Sequence, residues 1–453
     1  MPTFLKTAAS RLVADYGMLF VLLLLGALFS YLTWDEQHPT GASGAERLAE
    51  DLIEQCGQGT RVLVAAQDTE EDIAFAGTLE QELRNAGLVV ADVVTGQPAD
   101  ARRALEALAA GGEGLDVIAA NHAAAAWAVF DRLPEKFPGL GDVPVVEPAG
   151  YAFPNFLKPE NLVNVADQIV VIAILAIGMT MVIITAGIDL SVGSLIALSA
   201  VVATRLIRDF GGGTEATALA MTMCCVGGMG LCALLGSFSG VMVSIFAIPP
   251  FIVTLGMMLV ASGLAYILAE GHSIYQVPDS FIWLGRGADL FHVPNGVLLM
   301  VVLYAGAHLL MGHARTGRYI YAVGGNKETA RLSGIPLRRV LIFVYACSGA
   351  LAGLGGVVTA SQLKSGAPTY GLMYELYTIA AVVVGGTSLA GGEGRILGTL
   401  IGAFIIAVIQ NGMNLTGVES YTQKVVFGLV ILGAVLLDML KKRDWSFLKR
   451  KGA

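Results

Sequence analysis

Beyond residue 160 the chain is dominated by apolar runs of bilayer length, and this feature leaves it few ways to fold. The runs lie at 168–186, 190–206, 216–245, 249–269, 295–311, 340–361, 375–390, 396–412 and 422–440, and another stands near the N-terminus at 16–32. A hydrocarbon core about 30 Å thick takes ~20 apolar residues of helix, whose backbone groups are satisfied internally. The runs therefore predict an all-α polytopic membrane protein of ten transmembrane helices. Only 14% of the residues are charged, against about 25% in soluble domains. No A-x-A-like cleavage site follows the first run, so it reads as a retained anchor.

An even number of spans puts both termini on one side. Lys6 and Arg11 precede the first span, and Lys441, Lys442, Arg443, Lys449, Arg450 and Lys451 follow the last. The positive-inside rule makes that side cytoplasmic. The same count puts the segment 313–339 inside, and it carries Arg315, Arg318, Lys327, Arg331, Arg338 and Arg339. Arg205 and Arg208 fall on the outer side as a mild exception. The net charge of −8 gives no reason to expect a nucleic-acid partner.

Between the first span and the rest the hydropathy collapses, and the pattern becomes α/β. Strands are expected at 61–66, 88–94, 115–119 and 143–146, and helices at 44–55, 72–86, 99–110 and 122–133. This predicts a small inserted Rossmann-like domain. The chain thus divides into 1–33, an extracytoplasmic insertion at 34–153, a transmembrane core at 154–440 and a basic cytoplasmic tail at 441–453. The runs RVLVAA (61–66) and FAGTLEQELRNAGLVV (75–90) resemble one lobe of a periplasmic sugar-binding protein. Only one lobe fits, whereas closure around a sugar needs two. Docking a separate receptor, contacting a second subunit and plain structure all remain open as its role.

Several groups of residues are candidates for function. Gly187, Asp189, Ser191, Gly193 and Ser194 place one acid among helix-loosening residues. A carboxylate within a bilayer costs at least ~3 kcal/mol, so it either faces a polar path or caps the helix that follows. The span count sets Gly187 to Ser191 at the inner ends of two helices, which favours a cap or hinge near a cytoplasmic gate. In the basic loop, turn signals at Thr316-Gly317, Gly324 to Asn326 and Ser333 to Pro336 bracket a short helix, Lys327 to Leu332. It either passes force into the flanking spans or only sets topology. Glu375, Tyr377, Gln410, Asn411 and Asn414 fall at outer span ends. They supply the hydroxyl partners and aromatic face that a sugar needs, or they simply meet water and headgroups.

Other chemistry is missing from the pattern. No Gly-Lys dipeptide occurs, so no P-loop can form. Histidines 38, 122, 272, 292, 308 and 313 show no paired spacing, and the five cysteines form no metal-spaced set. The sequence thus predicts neither an enzyme nor a metal or cofactor bound by this chain. Gly193 to Ile196 is echoed by Gly398 to Ile401, each after a glycine-rich break.

The stretches AIGMTMVIITAGIDLSVGS (176–194), RTGRYIYAVGGNKETARLSGI (315–335) and AVVVGGTSLAGGEGR (381–395) resemble the ribose/xylose/galactoside-type permease subunits of bacterial ABC importers. The resemblance covers about 300 residues plus the first span, and departs from the family at the insertion. It implies a monosaccharide carrier in the cytoplasmic membrane working with a second permease subunit, expected to be a second copy of the chain, and with an extracytoplasmic sugar-binding protein. It also implies a cytoplasmic ATPase that holds ATP and Mg. Within it, 313–339 becomes the ATPase-coupling loop, with Arg315, Arg318, Asn326, Lys327, Glu328 and Arg331 as candidate contacts. The rival readings are an ion-coupled sugar transporter using Asp189, and a receptor using the outer α/β domain.

Overall fold

The computed structural model describes residues 3–112, 114–290 and 292–442. The chain falls into two units, residues 34–154 and the rest. The helical unit opens with α1 (Thr3–Leu32), apolar from Gly17 onward. For Lys6, Arg11, Lys441 and Lys442 only the backbone is described, and Arg443, Lys449, Arg450 and Lys451 lie outside the described residues.

The inserted unit runs β1 (Trp34–Gln37), α2 (Gly41–Gln55), β2 (Arg61–Ala66), α3 (Glu70–Asn85), β3 (Val89–Thr95), α4 (Pro98–Ala110), β4 (Val117–Ala120), α5 (His122–Ala125), α6 (Leu133–Lys136), β5 (Val145–Val146) and β6 (Tyr151–Pro154). Four strands pair in parallel in the order β3-β2-β4-β5. A parallel sheet is covered on both faces, which explains why β2 is an unbroken apolar run rather than an alternating one. Leu48, Leu52, Phe75 and Leu79 fill one core, and Leu105, Trp127 and Phe130 the other. Thr69 caps α3 by accepting from the Asp72 N–H at 3.2 Å. Gln97 and Asp100 form a capping box at α4.

Two features of this unit differ from the sequence reading. The helix expected at 122–133 stops at Ala125, because Trp127 and Phe130 turn into the core and Arg132 takes φ 54°. Burial of two large rings overrides the helix propensity of the alanine run. An antiparallel ribbon, β1 on β6 with Trp34 opposite Pro154, also had no sequence signal. The polar run WDEQ lacks the β-branched pattern of a strand.

The helical unit continues with α7 (Pro159–Ile184), α8 (Val192–Asp209), α9 (Ala218–Ser244), α10 (Pro250–Leu268), α11 (Trp283–Arg286), α12 (Asn295–His313), α13 (Arg315–Gly325), α14 (Lys327–Leu332), α15 (Leu337–Leu363), α16 (Tyr374–Val384), α17 (Ile396–Leu415) and α18 (Ser420–Lys442). Among the described residues six helices, α7, α9, α10, α12, α15 and α17, are long and apolar enough to cross a membrane. The apolar stretch of α7 is 89% buried and that of α9 only 22%, so α7 is central and α9 peripheral. Between α9 and α15 the backbones touch: a Cβ on Gly236 would strike the Tyr345 carbonyl, and one on Gly349 the Cys232 carbonyl. Small residues permit such close approach where lipid supplies no hydrophobic driving force.

The run at 375–390 does not form one spanning helix. α16 has 11 residues, about 16 Å of helix or half a hydrocarbon core. Its first turn meets that of α8, since a Cβ on Gly193 would collide with the Glu375 carboxylate and the Gly371 carbonyl. Both helices thus start inside the bundle. Such broken helices are tolerated at membrane depth where the freed backbone is buried in protein.

Candidate functional site

Two breaks in the helical ladder shape the interior of this unit. At the first, residues 185–191, the chain leaves α7 with Ala186 at φ 59° and folds around a buried carboxylate. Asp189 Oδ1 accepts from the Ser191 N–H at 3.0 Å and from Ser191 Oγ at 2.6 Å. Oδ2 accepts from Ser348 Oγ at 2.7 Å. Thr254 Oγ1 of α10 donates to the Ile188 carbonyl at 3.1 Å, and a Cβ on Gly187 would stand 2.5 Å from the Tyr345 hydroxyl. A buried carboxylate must be matched by donors, and three are supplied here.

Ser348 is the twelfth of the 27 residues of α15. Asp189 therefore sits near half-height of that helix, while the break that carries it starts from Ile184, the end of α7 on which α13 lies; the span count placed Gly187 to Ser191 at that end, and Asp189 lies deeper. Span counting assumes continuous helices, and α8 begins only at Val192. Asp189 does not cap from the Ncap position; it closes a two-residue turn ahead of Ser191, the Ncap. Gly193 packs on Glu375, while Ser194 is half-buried in the first turn of α8.

The second break, residues 385–395, is held by backbone. The Gly392 N–H donates to the Ile184 carbonyl at 2.8 Å, and the Ser388 N–H to the Glu393 carbonyl at 3.1 Å. Tyr321 of α13 donates its hydroxyl to the Gly394 carbonyl at 2.8 Å. A Cβ on Gly324 would overlap the Ile184 carbonyl, so α13 lies directly on the end of α7. One hydroxyl pair ties the helix before the first break to the helix after the second, Thr180 Oγ1 and Thr399 Oγ1 at 2.8 Å.

A polar cavity of 330 Å³ lies near the other end of α7. It is lined by Asp167, Gln168, Arg286, Gln362, Tyr374, Tyr377 and Gln410, among others. Pockets of this size hold small molecules. Asp167 Oδ1 is buried with no partner, so an acceptor stands ready for a ligand hydroxyl. Tyr374 and Tyr377 meet edge to face, with ring centroids 6.5 Å apart, and Tyr377 packs likewise on Phe427 at 5.2 Å. Carboxylate, amide and tyrosine groups converging on one space suit a polyhydroxylated solute.

Of the residues expected on the pathway, Tyr377 and Gln410 line this cavity. The other three do not. Asn411 is buried in a reciprocal amide pair with Asn161 at 2.8 and 3.0 Å. Asn414 accepts from Gln423 Nε2 at 2.8 Å on the exposed end of α17, and Glu375 turns toward Gly193. Asp167, Gln168, Arg286, Gln362 and Tyr374 were missed. The first two stand at the start of the apolar run 168–186, whereas α7 begins earlier, at Pro159.

Residues 161–435 match the family described as branched-chain amino acid transport system / permease component. The chain belongs to this family. The permease is 45% identical to the ribose import permease protein RbsC of Escherichia coli strain K12 over 293 residues, covering 64% of this chain and 88% of that relative. It is 41% identical to the protein of the same name from Bacillus subtilis strain 168 over 315 residues, 69% of this chain and 95% of the relative. The D-allose transport system permease protein AlsC of E. coli strain K12 is 36% identical over 285 residues, 63% and 85% of the two chains. No solved structure matches the permease.

The basic segment of the permease forms two short helices rather than one. α14 occupies Lys327–Leu332, begun by Asn326, whose Oδ1 accepts from the Thr329 N–H at 2.9 Å. Thr316-Gly317 is not a turn but the first turn of α13, where Gly317 fits against the Leu310 and Met311 carbonyls. Arg315, Arg318, Lys327, Glu328 and Arg331 are all exposed, and Arg331 pairs with Glu328 at 2.9 Å. Leu332 is 83% exposed beside them.

Proposed function

We propose that the permease is the membrane-spanning subunit of an ATP-binding cassette importer for a monosaccharide, a ribose-like pentose or a hexose. It works as a homodimer, receives sugar from an extracytoplasmic binding protein and is driven by a cytoplasmic ATPase that holds ATP and Mg2+. The observation that carries this reading is the pairing of two features on one buried helix. Asp167 in the polar, tyrosine-bearing cavity and Ile184 under α13 are 17 residues apart on α7 (184 − 167), about 26 Å. A solute space thus lies at one end and an exposed basic helix pair at the other. The names of the ribose and allose relatives support the sugar class.

In this reading the chain crosses the bilayer ten times, and two of the crossings, those containing α8 and α16, are broken helices. Both termini and the segment 313–339 face the cytoplasm, and the inserted unit lies outside. ATP binding on the partner pulls α14, and α13 transmits the pull to the break at 385–395 through Tyr321 and Gly324. Gly187, Asp189, Ser191, Gly193 and Ser194 form the hinge against which this movement works.

The test is charge reversal on the coupling surface of the assembled transporter in proteoliposomes. Arg315→Glu with Arg331→Glu opposes the partner's charge and sets two acids side by side at 328 and 331. We expect the ATPase to dissociate and sugar uptake to fall by about tenfold or more, with membrane insertion unchanged. Normal uptake in this variant overturns the coupling role. Uptake that survives removal of the ATPase and collapses with an ion gradient overturns the importer reading itself.

A further inference from the structure

The inserted unit brings together three side chains that are far apart in the chain. His38 follows β1, His122 opens α5 two residues after the end of β4, and Glu147 follows β5. His122 Nδ1 lies 2.8 Å from Glu147 Oε2, and the His38 ring stacks on that of His122 with centroids 3.4 Å apart and planes 4° from parallel. Ligand atoms of all three lie within 4.8 Å of one another. His38 Nδ1 is buried and has no hydrogen-bond partner.

A stacked imidazole pair beside one carboxylate has an ordinary explanation, a surface ion pair between His122 and Glu147. That explanation leaves the His38 nitrogen without a partner, and a buried polar atom left unpaired is rare. A cation shared by the three groups satisfies it. We propose that His38, His122 and Glu147 form a binding site for a borderline-soft divalent cation, with Zn2+ as its type.

The donor set selects the class of metal. Two imidazoles and a carboxylate are a known three-ligand zinc combination, whereas Ca2+ and Mg2+ require oxygen-rich shells. Cu2+ and Ni2+ share the taste for imidazole, and Cu2+ outranks Zn2+ in intrinsic affinity. Parallel rings have no common point in their planes, so one ring turns about its χ2 when the metal binds. His122, the exposed member, is free to do so and exchanges its bond to Glu147 for one to the metal. Three protein ligands leave a fourth tetrahedral position for water or an outside donor.

The site lies beyond the carboxyl ends of β4 and β5, where open α/β sheets bind their ligands. It also joins the two ends of the insertion to its sheet. His38 is the first residue after β1, and Glu147 comes four residues before β6. A bound cation closes both connections around the β1–β6 ribbon. The unit then responds to the metal content of the medium, whatever solute the helical unit carries.

The test uses the full-length permease in detergent, purified without a histidine tag. Zn2+ is added, weakly held metal is dialysed away, and zinc per chain is measured alongside a calorimetric titration. We expect about one zinc per chain, as a single three-ligand centre requires. His38→Ala with His122→Ala loses it, and Glu147→Gln weakens binding about tenfold or more. His308→Ala with His313→Ala, which removes the other close histidine pair, leaves it unchanged. Zinc retained by the His38/His122 variant, or none retained by the wild type, overturns the site. If that double variant fails to fold, Glu147→Gln decides, because an amide of the same shape preserves packing while losing the anionic ligand.

Discussion

The two breaks in the helical unit solve the same problem by different chemistry. At 185–191 the freed backbone is secured by side chains: the Asp189 carboxylate collects Ser191 and Ser348, and Thr254 reaches in from α10. At 385–395 main chain packs on main chain, with Gly324, Gly391 and Gly392 in contact and Ile184 accepting from Gly392, and the Tyr321 and Ser388 hydroxyls add a bond each. A carboxylate with its donors is a fixed point, because moving it leaves charge and hydroxyls unpaired in a low-dielectric interior. Glycine surfaces have no interlocking side chains and can slide. In the proposed reading the first break is the fixed point about which the helices hinge, and the second moves with α13.

Substitutions can break or sharpen this contrast. Gly324→Val drives two methyl groups into the Ile184 carbonyl and the Gly392 amide. It should abolish uptake and destabilise the protein by about 3 kcal/mol, since the obstacle is backbone and overpacking is not relieved by a rotamer change. Normal transport in this variant would show that α13 does not move with the second break. Asp189→Ala removes the acceptor of one amide and two hydroxyls and should cost about 2 kcal/mol or more. A thermal melt in detergent measures it, and an unchanged melting temperature would deny the fixed point. Thr180→Val loses the hydroxyl pair with Thr399 that ties the two breaks together, at ~1 kcal/mol. Its informative readout is transport, which should speed up or slow down while the melting temperature moves by only a few degrees.

How much of this was legible in the sequence depended on the range of the interaction. α14 could be placed at Lys327–Leu332 because turn residues on both sides and an Asn cap are local signals. β2 at Arg61–Ala66 was equally local, a short apolar run between polar turns. The span at 375–390 misled because hydropathy continues through Gly385 and Gly386, where the helix does not. Asp189 was visible as an anomaly, but its height in the bundle is set by Ser348, 159 residues away. The cavity shows the same division. Tyr377 and Gln410 stood out as polar groups on apolar segments, whereas Arg286 and Gln362 join it only because α11 docks on the end of α15. The histidines gave no signal at all, since 84 residues separate His38 from His122 (122 − 38) and only the β1 and β4 connections unite them.

The way the host chain closes behind its insertion has a consequence for how such a protein can change over time. The Asn155 N–H donates to the Thr33 carbonyl at 2.9 Å and the Phe156 N–H to Thr33 Oγ1 at 3.0 Å, while Trp34 and Pro154 are paired neighbours in the ribbon just beyond. The chain departs and returns through a doorway one strand-pair wide. A lineage could acquire, enlarge or discard the whole α/β module there without re-aiming a single membrane helix, so its history can run separately from that of the transporter that carries it.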